Sequence, residues 1–401
     1  MNANKFIERG VIIPCPASVE IDDAMDPKQI APGVVIHTGC KIVGTQTSIG
    51  PGCEIGAEAP AAIENCQLGK DVSLGGGFFS GATFLNGVQI GSGAHVRSGT
   101  LLEEESKAAH TVGFKQTILF PFVTAGSLIN FCDCLMAGGT GSKDHSEIGS
   151  SYIHFNFTPR QDKATASLIG DVPRGVMLDQ TAIFLGGQGG LVGPARIAYG
   201  TIIPAGSICR RDVLVENQMV APPAIAGGEP QKNNPGQYFG IRRIVVNNLI
   251  YIGNLHALKA WYRLVRKKFM SSDSYGQACW KGAIRRIDEA IAERIRRLDE
   301  LAAKMPRSIE IGDAESNLPK EIRLQQERFI GKWPSMRIVL EQDTMEKIDA
   351  VSCNAFHKEW ETVEAKSYLE SISILTPAAK AKGTAWLQSI VDLAAAQWDD
   401  K

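Results

Sequence analysis

The chain has 401 residues, a formal net charge of -1, 44% hydrophobic and 21% charged residues. That balance suits an ordinary globular protein of two or three domains, and it offers no overall charge for gripping nucleic acid or a membrane surface. The nine cysteines are odd in number and form no C-x-x-C, Met1 to Arg9 lacks the apolar core of a signal peptide, and the apolar stretch Ile118–Gly139 is broken by Pro121, Asn130 and Asp133. Free thiols, a cytoplasmic location and no membrane span are therefore expected.

Residues 1–33 read as a capping segment, with Val11-Ile12-Ile13 and Val19-Glu20-Ile21 as short strands that cover the open end of a repeat region. From 34 to 220 apolar residues recur at every sixth position. Ile36 and Ile42, Ile49 and Ile55, Leu68 and Leu74, then Ile90, Val96 and Leu102, then Val112 and Ile118 all obey it. The clearest run is Leu185, Leu191, Ile197, Ile203 and Cys209, separated by glycines and prolines. A period of six fits neither a helix nor a strand alone. It fits a triangular β-solenoid, in which each unit is a short strand plus a corner and three units close one coil.

The period breaks at Glu103–Ala109, Gly138–His145 and Thr158–Thr165, which read as polar loops leaving the solenoid. Residues 221–237 hold Pro222, Pro223, Gly227, Gly228, Pro230 and Pro235 and mark a linker. Residues 238–401 read as an α-helical domain. Leu255, Leu258, Tyr262, Val265 and Phe269 form one helical face, and Ile284, Ile287, Ile291, Ile295 and Leu298 another, with a turn expected over Ser271–Gly282. Further helices are expected near 318–330, 343–371 and 377–397. The basic cluster Arg263, Arg266, Lys267 and Lys268 reads as a solvated helix face or as a clamp for an anionic ligand.

Ala137-Gly-Gly-Thr-Gly-Ser-Lys143 lacks P-loop spacing, and no G-x-G-x-x-G opens a helix. His37, His95, His110, His145 and His154 fall in the repeats without metal-ligand spacing, so no metal is expected; each reads as a hydrogen-bonded wall residue, or one of them as a general base between subunits.

Residues 90 to 212 resemble the acetyltransferase half of the bifunctional N-acetylglucosamine-phosphate uridyltransferase family. Arg97 and Lys115, in Val96-Arg-Ser-Gly99 and Gly113-Phe-Lys-Gln116, have the eighteen-residue spacing of that family's arginine and lysine. The resemblance makes them a grip on a sugar phosphate. Thr124-Ala-Gly-Ser-Leu128 matches the family's K-A-G-H-L segment, so Ser127 stands where the catalytic histidine would be. Asn130 replaces a tyrosine, Asp133 matches an aspartate, and Asn156-Phe157 matches an asparagine–tyrosine pair. Phe184 to Pro194 resembles the stretch that lines the acetyl-CoA site, which makes Gly186, Gly187, Gly193 and, further on, Ala205 candidates for cofactor binding. The whole chain is similar to bacterial proteins labelled as related to UDP-N-acetylglucosamine pyrophosphorylase, including the segment Asn247–Asn254. The family's nucleotidyltransferase signature, G-x-G-T-R, is absent, which argues against pyrophosphorylase activity.

The resemblance implies a left-handed parallel β-helix, a homotrimer, and an acyltransferase that moves an acyl group from acetyl-CoA or another acyl-CoA to a sugar phosphate or nucleotide sugar. Ser127 cannot accept a proton as imidazole does, so His145 and His154 are the candidate substitute bases. The rival expectation is a non-catalytic trimer that binds a nucleotide sugar or scaffolds; a metal-dependent hydratase is a minor third. Since eighteen residues make one coil, Arg97 and Lys115 are expected to stack about 4.8 Å apart on one face, holding either a phosphate or one of Glu103, Glu104 and Glu105.

Overall fold

The computed structural model describes residues 3–156, 163–220, 235–315, 317–342 and 350–399. Phe157 and most of the linker, 221–234, lie outside the described residues, as does much of the Thr158–Thr165 excursion. The first half is a parallel β-solenoid with three faces. One face is a nine-stranded sheet from Val35–Ile36 to Ile202–Ile203. The second runs from Glu20–Ile21 through Ala94–Val96 to Ile208–Cys209. The third runs from Ser48–Ile49 to Arg196–Ile197. The second and third faces join into one sheet because the strands Val112–Leu119 and Ile129–Met136 run through the corner between them.

Each face owes its register to a column of inward side chains. Ile36, Ile55, Leu74 and Ile90 stack on the first, Ile42, Ile63, Phe79, Val96 and Phe114 on the second, and Ile49, Leu68, Phe84 and Leu102 on the third. These residues are buried, and they include the hexapeptide positions read from the sequence up to Leu102. At the corner between the second and third faces Asn65, Gly81, Gly99, Gln116 and Asp133 all adopt positive φ, the left-handed conformation that turns the chain sharply.

Two sequence expectations about the solenoid need correction. The phase slips after Ala108: Phe114 and Leu119 point inward, whereas Ile118 points outward and pairs with Leu101 and Leu135. The coil is shortened by the turn at Gln116. Glu103–Ala109 is not a loop leaving the solenoid. Glu103 and Glu104 are buried and Lys107–Ala108 is a strand of the first face.

The helices are α1 (Ala3–Ile7), α2 (Val172–Gly175), α3 (Ile241–Trp261), α4 (Lys267–Met270), α5 (Ser274–Glu315), α6 (Lys320–Glu341), α7 (Ala350–Glu361), α8 (Tyr368–Ser373) and α9 (Pro377–Ala395). A π-helical turn, Tyr262–Arg266, joins α3 to α4. The expected turn over Ser271–Gly282 is mostly helix, since α5 begins at Ser274 under an Asp273 side chain that accepts the Gly276 N–H at 2.7 Å. Gly282 serves contact instead: a Cβ there would lie 2.3 Å from Gln67 Oε1 and 2.6 Å from Thr83 Oγ1.

The third face explains where the helical domain sits. Its outward column reads Gln67, Thr83, Leu101, Ile118, Leu135 and Leu168, and every one is buried. A buried outward column needs a cover: α5 packs across the strands that carry Gln67, Thr83 and Leu101, and α3 packs on the strand that carries Leu168. Helix α3 is stitched on through asparagines: Asn248 Nδ2 donates to Ala164 O at 2.9 Å, and Asn254 Oδ1 accepts the Val172 N–H at 2.8 Å. Among the described residues no helix is long and apolar enough to cross a membrane.

Candidate functional site

The second face is the open one that carries the candidate cations. Val96 pairs with Phe114, Phe114 with Phe131, and Lys115 with Cys132, so Arg97, Lys115 and Cys132 follow one another on adjacent coils. Arg97 is exposed and Lys115 half-buried. Arg97 Nη2 lies 3.9 Å from Cys132 Sγ, whose thiol burial pushes up against the pull of Arg97. Neither cation has a carboxylate within salt-bridge distance among the described residues. Of the acids expected as partners, Glu103 and Glu104 are taken by Arg266, at 2.6 Å each.

Asp133 and Asn156 join this cluster. Asn156 Nδ2 donates to Asp133 Oδ2 at 2.8 Å, and Arg294 of α5 reaches across the corner to Asp133 Oδ1 at 2.6 Å. Burial works to raise the Asp133 carboxyl, but Arg294, the Asn156 amide and Lys115 together hold it below its ordinary value. Asn130 lies on the exposed side of the same strand, where its Oδ1 faces Cys132 Sγ at 3.4 Å.

The histidines separate cleanly. His154 occupies the inward column, at the level between Phe131 and Leu191, and is 1% exposed. Its Nδ1 faces Cys132 O at 2.7 Å and its Nε2 faces Ser167 Oγ at 2.8 Å. Burial drops its pKa to about 4, with Asp133 and the Cys132 carbonyl pulling the other way. This imidazole is a neutral wall residue without access to a cleft. His145 is half-buried on the hairpin formed by Gly139–Gly141 and Asp144–His145, with Nδ1 at 3.0 Å from Ser142 O.

Ser127 stands at the turn between the first and second faces, its backbone N–H donating to Ser150 Oγ at 3.2 Å. Asp133 marks the corner between the second and third, and His145 the corner between the third and first. The candidate catalytic positions other than His154 thus stand at three different corners of one triangular coil stack. The structure also brings Gly186 against Ala205, with a Cβ at Gly186 falling 2.3 Å from Ala205 N, whereas Gly193 is buried beside Thr165 and His154.

Two residues were not placed at this site from the sequence, although His95 was one of the five histidines considered. His95 is exposed and outward on the strand that ends beside Arg97, its ring 5.1 Å from that of Phe78. Period-two alternation puts it on Arg97's side, a signal available from the spacing of two residues. Arg294, buried in α5, had no such signal, because its partner lies on another domain. Among the described residues no group of three His, Cys, Asp or Glu side chains is arranged to hold a metal.

No protein-family model matches the chain. In sequence it is similar to bifunctional protein GlmU of Thermotoga petrophila, 28% identical over 209 residues, which are 52% of this chain and 42% of that protein. GlmU of Pelobacter propionicus is 29% identical over 205 residues, 51% of this chain and 39% of that protein. Among solved structures, LpxA from Acinetobacter baumannii aligns over 50% of this chain and 68% of its own with 16% identity and a TM-score of 0.25. The chain spans less than half the length of the curated relatives it matches. Its first half is a hexapeptide-repeat β-solenoid similar in sequence to bifunctional GlmU proteins.

Proposed function

We propose that this protein is an acyltransferase of the cytoplasm. It would move an acyl group from acetyl-CoA or another acyl-CoA to a sugar phosphate or nucleotide sugar, in a cleft between the subunits of a homotrimer. The observation that carries this reading is the Arg97–Lys115 stack: two cations on neighbouring coils with no carboxylate between them. Two like charges held that close favour an anion, and arginine's planar fork with lysine's point charge suits a phosphate. The separation of Ser127, Asp133 and His145 onto three corners favours a site made by two copies, where different corners can face one another.

In this reading the acceptor's amine or hydroxyl attacks the thioester carbonyl, CoA leaves as the thiol, and the acceptor's proton passes to a base. His95 is our choice of base. It is exposed on the side of Arg97, whereas His154 is enclosed and Ser127 has no imidazole. A positioned base is worth roughly 10²–10⁴ in rate. Dependence on the phosphate would then come from Arg97 and Lys115, and Gly186, Gly187 and Ala205 are the proposed contacts of the CoA arm.

The test supplies acetyl-CoA with a glucosamine phosphate and reads free thiol. Thiol release that needs the acceptor, and that falls at least a hundredfold in His95→Ala, is the expected result. Loss in His145→Ala with His95→Ala unaffected would transfer the base to the hairpin. The buried state of His154 favours a second reading, a trimer that binds a nucleotide sugar without turnover. Calorimetric binding of a UDP-sugar with no thiol release would select it. A monomer in sedimentation at micromolar concentration would remove the inter-subunit cleft from either reading.

A further inference from the structure

A second group of unpaired cations lies far toward the first coils, where α5 begins. A groove of about 450 Å³ runs between the Asp26–Gln29 and Thr45–Ser48 segments of the solenoid and the amino-terminal turns of α5. Three of its lining residues are cationic, Lys28 from the solenoid and Lys281 and Arg285 from α5. None of the three has a carboxylate within salt-bridge distance among the described residues.

The one acid among the lining residues, Asp26, is already committed. Its side chain accepts the Lys28 backbone N–H at 2.9 Å, and its own N–H donates to Gln29 Oε1, closing a capping box. The neighbouring acids are spent as well. Glu289 pairs with Arg286 at 2.9 Å, and Asp273 holds the Gly276 N–H and Lys70. Arg285 is steered by Nη1 donating to Gln46 Oε1, which leaves its other guanidinium N–H groups for a ligand in the groove. The Tyr275 hydroxyl donates to Lys28 O at 3.1 Å, tying α5 to the lysine's own backbone. The Gly282 contact with Gln67 and Thr83 fixes the opposite wall.

We propose that this groove binds a phosphorylated small molecule, a nucleotide or a sugar phosphate, as a site separate from Arg97 and Lys115. Two lysines and an arginine fork supply about three positive charges against one internally capped carboxylate, the balance that a phosphate-monoester dianion requires. The groove is of the size that holds small ligands and lies at an interdomain boundary, where such sites concentrate. Its occupancy would bridge the first coils to α5.

The experiment uses the full chain carrying Arg97→Ala and Lys115→Ala, so that the other cation pair cannot contribute and failure of the acyltransferase reading leaves this test intact. UMP, glucose 6-phosphate and inorganic phosphate are titrated calorimetrically. Binding of UMP or glucose 6-phosphate that weakens at least tenfold when Lys281→Ala and Arg285→Ala are added is the expected result; which probe binds more tightly tells the nucleotide from the sugar phosphate. The three side chains are exposed, so thermal unfolding of the variants should match the parent. No binding by either organic probe, unchanged affinity in the added variants, or equal affinity for inorganic phosphate would overturn the proposal.

Discussion

Two charge clusters in this protein follow opposite rules. Arg266 is buried in the π-helical turn, where Nη2 donates to Glu103 at 2.6 Å and Nη1 to both oxygens of Glu104 at 2.6 and 2.7 Å. Tyr262 donates its hydroxyl to Glu103 at 2.6 Å, and the guanidinium lies 3.7 Å from the centre of the Tyr368 ring. Arg97 and Lys115 sit on the open face with no acid between them. The first cluster joins the solenoid to the π-helical turn and α8 and spends its charges on internal partners. The second contributes little to the fold and presents charge outward. The sequence misplaced only the first cluster: it read the acids as part of a polar loop or as partners of Arg97 and Lys115, and Arg266 as part of a solvated helix face or an anion clamp.

The largest expected effect breaks the first cluster. Arg266→Ala leaves two buried carboxylates without their cation, and removing one partner of a buried pair costs about 3–5 kcal/mol. Urea unfolding should show that loss in the midpoint. A change under about 1 kcal/mol would mean that water reaches Glu103 and that the two clusters are not opposites.

Arg97→Ala sharpens the other side. Charge-assisted hydrogen bonds are worth about 1.5–3 kcal/mol, so affinity for a sugar phosphate or UDP-sugar should fall roughly ten- to a hundredfold. Stability should shift by no more than about 0.5 kcal/mol, as for other exposed positions. Calorimetric titration alongside thermal unfolding separates the two quantities. A variant that unfolds with its ligand affinity intact would make Arg97 a structural residue.

Gly282→Ala probes the covered face itself. The added methyl meets Gln67 Oε1 and Thr83 Oγ1, and Gln67 is held by its donation to Gln46 O at 2.7 Å. Overpacking of that kind costs about 1–3 kcal/mol. Unfolding followed by urea should register the loss, and parental stability would show that α5 rides loosely on the third face.

How much of this was legible depended on sequence distance. The inward columns were readable because a coil repeats its own pattern, so Ile36, Ile42, Ile49 and Ile55 announce three faces within twenty residues. The phase slip at Phe114–Leu119 was not, since Val112 and Ile118 keep the six-residue spacing while the Gln116 turn shortens the coil. Arg97 and Lys115 were legible through resemblance, one coil apart. Glu103 and Arg266 were opaque because their pairing crosses from the solenoid to a helix far along the chain, and nothing local to either residue encodes the other. Gly282 fell within the expected turn because propensity cannot tell a turn from a close contact.

The smallest expected effect sets two buried groups against each other through pH. Burial pushes Glu103 up to about 7 from an ordinary 4.5, with Arg266 pulling it down and Glu104 adding to the rise. Between those values the folded chain holds more of that proton than the unfolded chain, so this group's contribution to stability falls as pH rises from about 4.5 to 7. His154 is displaced the opposite way, to about 4 from 6.5. It holds less of its proton when folded, so its contribution rises with pH over roughly 4 to 6.5. Asp133 is displaced below its ordinary 3.8 and stays out of this window. The two slopes oppose, and the parent's stability should change little between about pH 4.5 and 6.5. Glu103→Gln keeps an oxygen for Arg266 but removes the falling slope, so stability should then rise with pH, by at most about 1.4 kcal/mol per unit for one proton. His154→Gln removes the rise and should leave stability falling across the same range. Urea midpoints taken at half-unit steps measure both slopes. Variants that keep the parent's profile would mean that neither group changes its proton affinity on folding, and the buried cluster would then be as open to water as the face that carries Arg97.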